Sequence, residues 1–473
     1  MRTLILFFTL LSFNLINTNF SEKRDDITKK VDSFMNECID LDLFSGTLLI
    51  AKDGNTIFEK SYGYADKDKK SDNTNATKYN IGSIGKDFTA ILILQLVQEN
   101  KLSLEDNLGK YLNYFPEDVS SAVTIKHLLN HSSGLGDYIM NHEFNNNKEN
   151  YKELSELVKL ISKEKLAFAP GTNQKYSNSG YVVLGAVIES ITGKSYIQNL
   201  NERILEPLSM TSSGYIDWDT PDPLKATGYT HDLKGNAHDN KNLRLQPSPA
   251  GGMYSTVEDL LKLDQSLMND NKLLSDYNKM IFWNRFEKPA VETFEEFKNS
   301  PNFIRAVAGG ADGINAVYIT IPAKGYSMFI LSNYDHAAEN IEKPITSIVR
   351  GVEYSKAKLP LNRFLYQVYE KEGEKYFAEN LKNIIDNNDY KIPGDGMLNN
   401  IGYQFLQNEF PAAAIEIFKL NAILFPNIAN VFDSLGEAYL ALGNKEEAKK
   451  NYLKVLEINP ENENVKKILE GLK

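Results

Sequence analysis

The chain of 473 residues contains little cysteine, little histidine and no excess of positive charge. Cys38 is the only cysteine, so no internal disulfide can form. The formal net charge of −11, without a basic tract, argues against nucleic acid and against anionic membrane surfaces as partners. The remaining composition, 42% hydrophobic and 24% charged, is that of a globular protein, and the length suggests roughly two or three domains.

Long apolar runs are absent after the first 20 residues, so no membrane span is predicted in the mature chain. Residues 1–20 have the pattern of a secretory signal peptide, with Arg2 as the positive start and Leu4 to Leu11 as a short apolar core. The pattern predicts a periplasmic or secreted protein, cleaved between Asn17 and Ser21. An uncleaved N-terminal anchor is the alternative, although the core is short for a spanning helix.

Two of the six histidines, His127 and His131, have a spacing that brings them to one face of a helix. A zinc site with this spacing would have a glutamate after the first histidine and a third ligand, and neither is evident. We therefore expect structural histidines that hydrogen-bond to a loop. We predict no metal and no cofactor.

Strand-like segments occur at both ends of residues 45–335, and helical patterns lie between them. Thr47–Ala51 and Thr56–Lys60 flank a glycine turn and predict a β-hairpin. Late in the chain, Asn315–Ile321 and Tyr326–Ser332 predict two more strands. The distribution predicts an α+β fold: an antiparallel sheet built from both ends, flanked by helices and carrying an inserted helical region.

Two further segments are assigned from composition. Phe303–Ala308 predicts a strand that ends at the glycines of residues 309–313. Residues 139–165 are polar and rich in Asn and Lys, which predicts a mobile surface insertion.

The most informative stretch contains a serine and a lysine three residues apart. Ser83 and Lys86 stand at the start of a run that is apolar on nearly every side, which predicts a buried helix. Their spacing places both side chains on one helix face. An amine desolvated there can lose its proton near neutral pH and accept the proton of the serine. We therefore interpret Ser83 as a nucleophile and Lys86 as its base.

The Ser-x-x-Lys motif is weak evidence by itself, because roughly two matches are expected by chance in a chain of this length. Ser162 with Lys165 and Ser355 with Lys358 also match, and both lie among lysines typical of solvated surface. The Ser83 copy differs because glycines flank it and a buried helix follows. A helix N-cap serine is the alternative interpretation.

Several short motifs follow one another within residues 25–352. They include Phe44-Ser45-Gly46, Ser83-Ile84-Gly85-Lys86, His131-Ser132-Ser133-Gly134-Leu135, Tyr176-Ser177-Asn178 and Ala250-Gly251-Gly252-Met253. In this order and at these intervals they resemble the serine hydrolase family that groups class C β-lactamases, D-aminopeptidases and related esterases. The resemblance implies a β-lactamase/transpeptidase-like fold. It also implies a small-molecule or peptide-like acyl substrate that is cleaved through an acyl-enzyme.

The resemblance implies a role for each matching position. Ser83 would attack the acyl carbon, and Lys86 would accept its proton and share the proton transfer with Tyr176. Asn178 would hold Lys86 and the substrate by hydrogen bonds. The oxyanion would lie between the backbone amides of Ser83 and Gly310.

The third motif departs from the family pattern of Lys or His, any residue, then Gly, because the chain has Val307-Ala308-Gly309. Valine can neither assist proton transfer nor attract a substrate carboxylate. Arg305 lies two residues earlier, on the same strand face, and we hypothesise that it supplies the charge. Gly309, and by family position Asp137 and Tyr138, complete the predicted substrate-binding residues.

A 34-residue repeat appears after Lys356. The interval separates five pairs: Gly402/Gly436, Phe405/Tyr439, Ala414/Ala448, Phe418/Tyr452 and Pro426/Pro460. The pattern is similar to the tetratricopeptide repeat and predicts an all-α repeat domain at 357–473, with repeats at about 395–428 and 429–462. Two repeats cannot bury their faces unaided, so 357–398 would add a helical pair or cap. The domain would either offer a docking groove for a protein partner or form a helical cap.

The sequence thus predicts a signal peptide at 1–20, a serine hydrolase domain at 25–352 and a repeat domain at 357–473. A catalytically silent penicillin-binding-like scaffold that binds a partner or cell-wall ligand is the alternative. Val307 favours the scaffold, whereas the intact set of nucleophile, lysine, tyrosine and asparagine favours the enzyme. An α/β-hydrolase is disfavoured because Ile81 stands where that class has glycine.

Overall fold

The computed structural model describes residues 24–215, 220–241, 246–284, 292–301 and 303–472. The chain divides into two compact units, the first within Met1–Thr230 and Asp239–Ala357, the second within His231–His238 and Lys358–Lys473. The predicted signal peptide lies outside the described residues. Within the described ranges, no helix has both the length and the apolar character that a membrane crossing requires.

The strands, in chain order, all precede residue 333. They are β1 (Gly46–Lys52), β2 (Asn55–Tyr62), β3 (Tyr64–Asp66), β4 (Ser71–Asp72), β5 (Tyr79–Asn80), β6 (Tyr229–His231), β7 (Ala237–Asp239), β8 (Tyr254–Ser255), β9 (Arg305–Ala311), β10 (Ile314–Ile321) and β11 (Tyr326–Ser332).

The helices fall into two groups along the chain. The first group is α1 (residues 24–40), α2 (Gly85–Gln98), α3 (Glu117–Ala122), α4 (Ile125–Leu129), α5 (His142–Asn146), α6 (Leu154–Ile161), α7 (Asn178–Thr192), α8 (Tyr196–Leu200), α9 (Val257–Asn269), α10 (Asp276–Asn284), α11 (Phe294–Asn299) and α12 (Ala337–Arg350). The second is α13 (Leu361–Asn387), α14 (Asp395–Gln407), α15 (Pro411–Leu424), α16 (Ala429–Ala441), α17 (Lys445–Ile458) and α18 (Glu463–Gly471).

A five-stranded antiparallel sheet of order β2-β1-β11-β10-β9 is the centre of the first unit. Gly46 lies opposite Ser332, so strands from the two ends of the unit are direct neighbours. The central strands β10 and β11 are buried along their whole length, because helices cover both faces of the sheet. This arrangement, with helices inserted between β2 and β9, confirms the predicted α+β fold.

Helix α2 is buried from Gly85 to Leu96, as its uniformly apolar sequence indicated. The segment 139–165 differs from the prediction of a mobile insertion, because α6 buries Leu157, Val158, Leu160 and Ile161 and packs against α7. These four residues form one apolar helix face. Because polar residues flank this short apolar face, the composition of the segment does not reveal it.

Strand β9 also differs from the prediction, since it continues through the glycines and ends at Ala311. Gly309 pairs with Ala316 and Gly310 with Asn315 across the ladder with β10. A glycine run usually ends a strand because glycine loses more conformational entropy on ordering than other residues. Here the ladder continues, and the missing side chains let the strand pass close to the start of α2.

The second unit is all-α and has its own apolar core. Helix α13 is broken at Gly373, which has φ +84°, and α14 to α17 form two consecutive helix pairs. Leu233, from the β6–β7 segment, is buried in this core. The helical repeat module predicted from the 34-residue interval is therefore confirmed as part of the fold.

The glycines of the repeat permit close approach of paired helices, and this gives a test. A Cβ atom on Gly402 would lie 2.5 Å from the ring of Phe418, whereas one on Gly396, in the same helix, would meet nothing within 4 Å. We expect Gly402→Ala to destabilise the repeat unit by about 1–3 kcal/mol through overpacking. Gly396→Ala should stabilise it by about 0.5–1 kcal/mol through helix propensity. Urea unfolding followed by circular dichroism measures both. Equal changes in the free energy of unfolding for the two variants would contradict the close contact between Gly402 and Phe418.

Candidate active site

Ser83 lies in the 3₁₀ turn Gly82–Ile84 that leads into α2. The turn is fixed on both sides: the side-chain oxygen of Asn80 accepts from the Gly82 amide at 2.8 Å, and the Ile81 amide donates to the carbonyl of Met253 at 2.9 Å. The hydroxyl of Ser83 is therefore presented from a rigid backbone beside a buried helix.

Lys86, in the first turn of α2, is only 4% exposed. Its Nζ lies 3.1 Å from Ser83 Oγ and 2.7 Å from Asn178 Oδ1, and it also contacts the carbonyl oxygen of Ala250. One buried amine is thus surrounded by a hydroxyl and two carbonyl-type oxygens.

Burial lowers the pKa of Lys86 from 10.5 to about 7, against the opposing effects of the Asp137 and Asp87 carboxylates. A neutral amine has two hydrogens to donate and one lone pair. Since Asn178 and Ala250 offer only acceptor oxygens, they take the hydrogens, and the lone pair is left for the Ser83 hydroxyl. This is the geometry of a general base.

Tyr176 lies on the other side of the nucleophile, with its hydroxyl 2.7 Å from Ser83 Oγ. Its ring packs against that of His131 in a tilted arrangement, with the centroids 4.6 Å apart, and Lys86 Nζ lies 4.9 Å from its centre. Desolvation raises the pKa of the phenol to about 12, so it keeps its proton at neutral pH. Tyr176 can therefore donate a proton where Lys86 accepts one.

Asn178 begins α7 directly after its N-cap, Ser177. The Asn178 amide group donates to Asp137 Oδ2 at 2.8 Å, which turns its oxygen toward Lys86. Asp137, predicted as a pocket wall, thus holds Asn178 in the orientation that the amine requires.

Strand β9 passes directly over the serine turn. A Cβ atom on Gly309 would overlap the carbonyl oxygen of Ile81 and lie 2.7 Å from the Ser83 amide nitrogen. One on Gly82 would lie 2.7 Å from the Gly310 amide nitrogen. The amides of Ser83 and Gly310 are therefore close together, which suits an oxyanion hole.

A cavity of about 110 Å³ opens at these groups. Among the residues that line it are Ser83, Tyr138, Asn178, Asn240 and Gly310. The buried hydroxyl of Tyr138 lies 3.4 Å from Ser248 Oγ on its wall. A second cavity of about 220 Å³ shares Asn80, Asn240 and Ile314, but its described lining has no activated nucleophile.

Arg305 is not placed where the hypothesis of a substituted charge requires it. The residue is 9% exposed, and its Nη2 lies 2.8 Å from Asp87 Oδ2. Val307 is partly buried and packs on the hydrophobic core. The strand periodicity correctly places Arg305 and Val307 on the same face of β9. The Arg305 side chain, however, extends to the buried carboxylate of Asp87 and not to the cavity.

The histidines occupy supporting positions. His127 Nδ1 accepts from the Thr124 amide, and His131 Nδ1 accepts from the Ser177 amide at 3.2 Å. Neither stands in a cluster of potential metal ligands within the described ranges. The third partner of Lys86, the carbonyl of Ala250, was not among the predicted residues; the structure shows that the adjacent Gly251 lies close to the backbone of Gly82.

The family model "Beta-lactamase" matches residues 28–349, and a tetratricopeptide repeat model matches residues 429–462. "Protein flp" of Staphylococcus aureus strain N315 is 28% identical over 330 residues, which cover 67% of this chain and 66% of that protein. "Teichoic acid D-alanine hydrolase" of Staphylococcus aureus is 32% identical over 240 residues, 51% of this chain and 57% of that protein. The chain thus spans 66% and 57% of the length of these two curated relatives, less than two thirds of each.

A penicillin-binding protein from Bacillus halodurans is a similar solved structure, with a TM-score of 0.57 and 26% identity. The similarity covers 67% of this chain and 99% of that one.

The close passage of β9 predicts a strict requirement for glycine at 309. Gly309→Ala forces the strand away from Ile81 and Ser83, and we expect a roughly 10²-fold slower reaction of Ser83 with a fluorophosphonate. Ala308→Ser, at the exposed neighbouring position, is the control and should react normally. Mass spectrometry measures labelling, and thermal unfolding shows whether each variant is folded. Unchanged labelling of Gly309→Ala would contradict the close passage of β9 over the serine turn.

Proposed function

The chain belongs to the β-lactamase family, as its motifs implied, and on this premise we propose that it is a serine hydrolase acting through an acyl-enzyme on Ser83. The main supporting observation is the set of contacts around Lys86. Its desolvated amine, held by Asn178 and Ala250, directs a lone pair toward the nucleophile. The reaction proposed is hydrolysis of an ester or an amide.

In the first step Lys86 takes the proton of Ser83 while Oγ attacks the acyl carbon. The carbonyl oxygen becomes an oxyanion between the amides of Ser83 and Gly310. Tyr176 donates its proton to the leaving oxygen or nitrogen and is reprotonated by Lys86, so the alcohol or amine departs neutral. A water molecule then attacks the acyl-enzyme and gives one proton to the lysine–tyrosine pair. The pair passes this proton to Ser83 Oγ as the Oγ–acyl bond breaks, so the carboxylic acid is released and Ser83 is regenerated.

The proposed substrate has a small acyl group. The cavity beside Ser83 is about 110 Å³, and the relative called teichoic acid D-alanine hydrolase is named for release of one amino acid. Val307 stands where the family has a cation, which argues against a substrate selected by its carboxylate. We further propose that the protein is exported and acts in the periplasm or outside the cell.

A silent scaffold remains the second candidate, favoured by Val307. For either candidate we propose the second unit as a module for binding a protein partner. The tetratricopeptide match at 429–462 supports this role, because such repeats stack into extended binding surfaces.

Covalent labelling separates the two candidates. We expect a fluorophosphonate to label the folded protein at Ser83 and Ser83→Ala to abolish labelling. Ser162→Ala is the matched control, since it removes the serine of another Ser-x-x-Lys match and should label like the parent. p-Nitrophenyl esters, D-amino acid amides and a chromogenic cephalosporin then identify the substrate class. A folded parent that is neither labelled nor active would favour the scaffold.

The lowered pKa of Lys86 predicts a pH dependence. Below pH 7 the amine is protonated and cannot accept the Ser83 proton, so the labelling rate should rise with pH, with a midpoint near 7. Lys86→Met should slow labelling by roughly 10²–10⁴-fold. Lys165→Met, at another motif lysine, is the control. A midpoint near 10, the range of an unperturbed lysine, would rule out the desolvated base.

A further inference from the structure

A buried ion pair joins the two elements that build the site. Asp87 follows Lys86 in the first turn of α2 and is 1% exposed, and Arg305 is the first residue of β9. Arg305 Nη2 donates to both carboxylate oxygens of Asp87, at 2.9 and 2.8 Å. The pair therefore connects the helix of the proposed base to the strand of the proposed oxyanion hole, across 218 residues of sequence.

The pair is enclosed by aromatic rings. The guanidinium of Arg305 lies 4.8 Å from the ring centre of Trp283, 5.1 Å from Phe282 and 5.8 Å from Tyr318. The hydroxyl of Tyr318 donates to the buried Asp264 at 2.6 Å, so the ring that faces the guanidinium is itself fixed. Compared with well-packed apolar residues, buried ion pairs contribute little net stability, so stability alone does not account for this one.

We propose that Arg305 and Asp87 are positioning residues for the reaction at Ser83: they hold β9 against the serine turn and set the net charge beside Lys86. The proposal rests on the proposed function. Gly309 and Gly310 follow Arg305 by four and five residues on a strand, so the pair limits sliding of the strand past Ser83. Arg305 thus acts on the site through Asp87, without contacting substrate.

The charge effect can be isolated because, among the described residues, two carboxylates are the charges that act on the Lys86 amine. Asp87 does so from α2, and Asp137 does so from the loop before the turn Tyr138–Met140, through Asn178. The other contacts are neutral at pH 7: Ser83, Tyr176, Tyr181, Asn178 and the Ala250 carbonyl. Behind Tyr176 lies His131, and near Arg305 lies Asp264. The Asp137 carboxylate is present in every variant at residue 87 or 305, so its effect on Lys86 is common to all of them.

The two single variants should move the Lys86 titration in opposite directions. Asp87→Asn removes an anion that stabilises the protonated amine, so deprotonation should move to lower pH by roughly one unit. Arg305→Met keeps the unbranched apolar part of the side chain but removes the cation paired with Asp87, so the carboxylate acts more strongly on Lys86 and deprotonation should move to higher pH by roughly one unit. The double variant should lie between them.

The experiment measures the pH dependence of fluorophosphonate labelling at Ser83 together with the ¹³Cε titration of Lys86 in the full chain. Arg203→Met is the matched control, because Arg203 pairs with Glu99 directly after the other end of α2, at 2.6 Å. The pH midpoint of labelling in Arg203→Met should equal that of the parent. Reduced labelling without opposite midpoint shifts would show a merely structural pair and overturn the proposal.

The two readouts keep this proposal distinct from the proposed function. A parent that is not labelled disproves the acyl-enzyme, while the ¹³C titration still tests the charge beside Lys86. If Arg305→Met does not fold, the near-isosteric Asp87→Asn decides alone. A Lys86 midpoint in Asp87→Asn that equals the parent's, or lies above it, would overturn the role of the pair.

Discussion

Exclusion of water from one amine is the condition on which the whole site depends. In water Lys86 would remain protonated to pH 10 and above, and Ser83 would be an ordinary alcohol. The buried helix α2 supplies the desolvation, while α7 and the Ala250 loop supply two oxygens that fix the remaining hydrogens. On the proposed function, the burial of helix α2 from Gly85 to Leu96 therefore has a chemical reason as well as a packing one. A solvent-exposed face would rehydrate the first turn, where the proposed base Lys86 lies.

The second constraint is the close contact between two backbone segments that are far apart in sequence, strand β9 and the serine turn. Strand β9 approaches the serine turn so closely that glycine is required on both sides, at Gly82 and at Gly309. The sheet makes this meeting reproducible, because β1 and β11 bring the two ends of the first unit side by side. The third motif of the family has lost its cation in this chain, but its glycine remains. The close approach of that motif's backbone to the serine turn is thus present without the cation.

Much of this arrangement could be predicted from local pattern. Alternating apolar and polar segments predicted the strands of the sheet, and the apolar run after Ser83 predicted the buried helix α2. The 34-residue interval predicted the helical repeats. Local pattern failed where the outcome depended on a distant partner. Arg305 was correctly assigned to a strand face, yet its partner Asp87 lies 218 residues away, and periodicity does not encode where a long side chain ends. The Ala250 carbonyl was missed for a related reason, since a backbone oxygen has no sequence signature of its own.

The use of Arg305 within the core has a consequence for substrate selection. Its charge is neutralised by Asp87, and the described residues that line the cavity beside Ser83 include no lysine or arginine. The polar groups of this lining are hydroxyls and amides such as those of Tyr138 and Asn178, backbone groups, and the carboxylate of Asp312. Groups of this kind select by hydrogen-bond geometry and by size, and they give no strong attraction for a free carboxylate. We therefore propose, as part of the proposed function, an acyl donor that lacks a carboxylate next to the scissile bond, such as an aminoacyl ester.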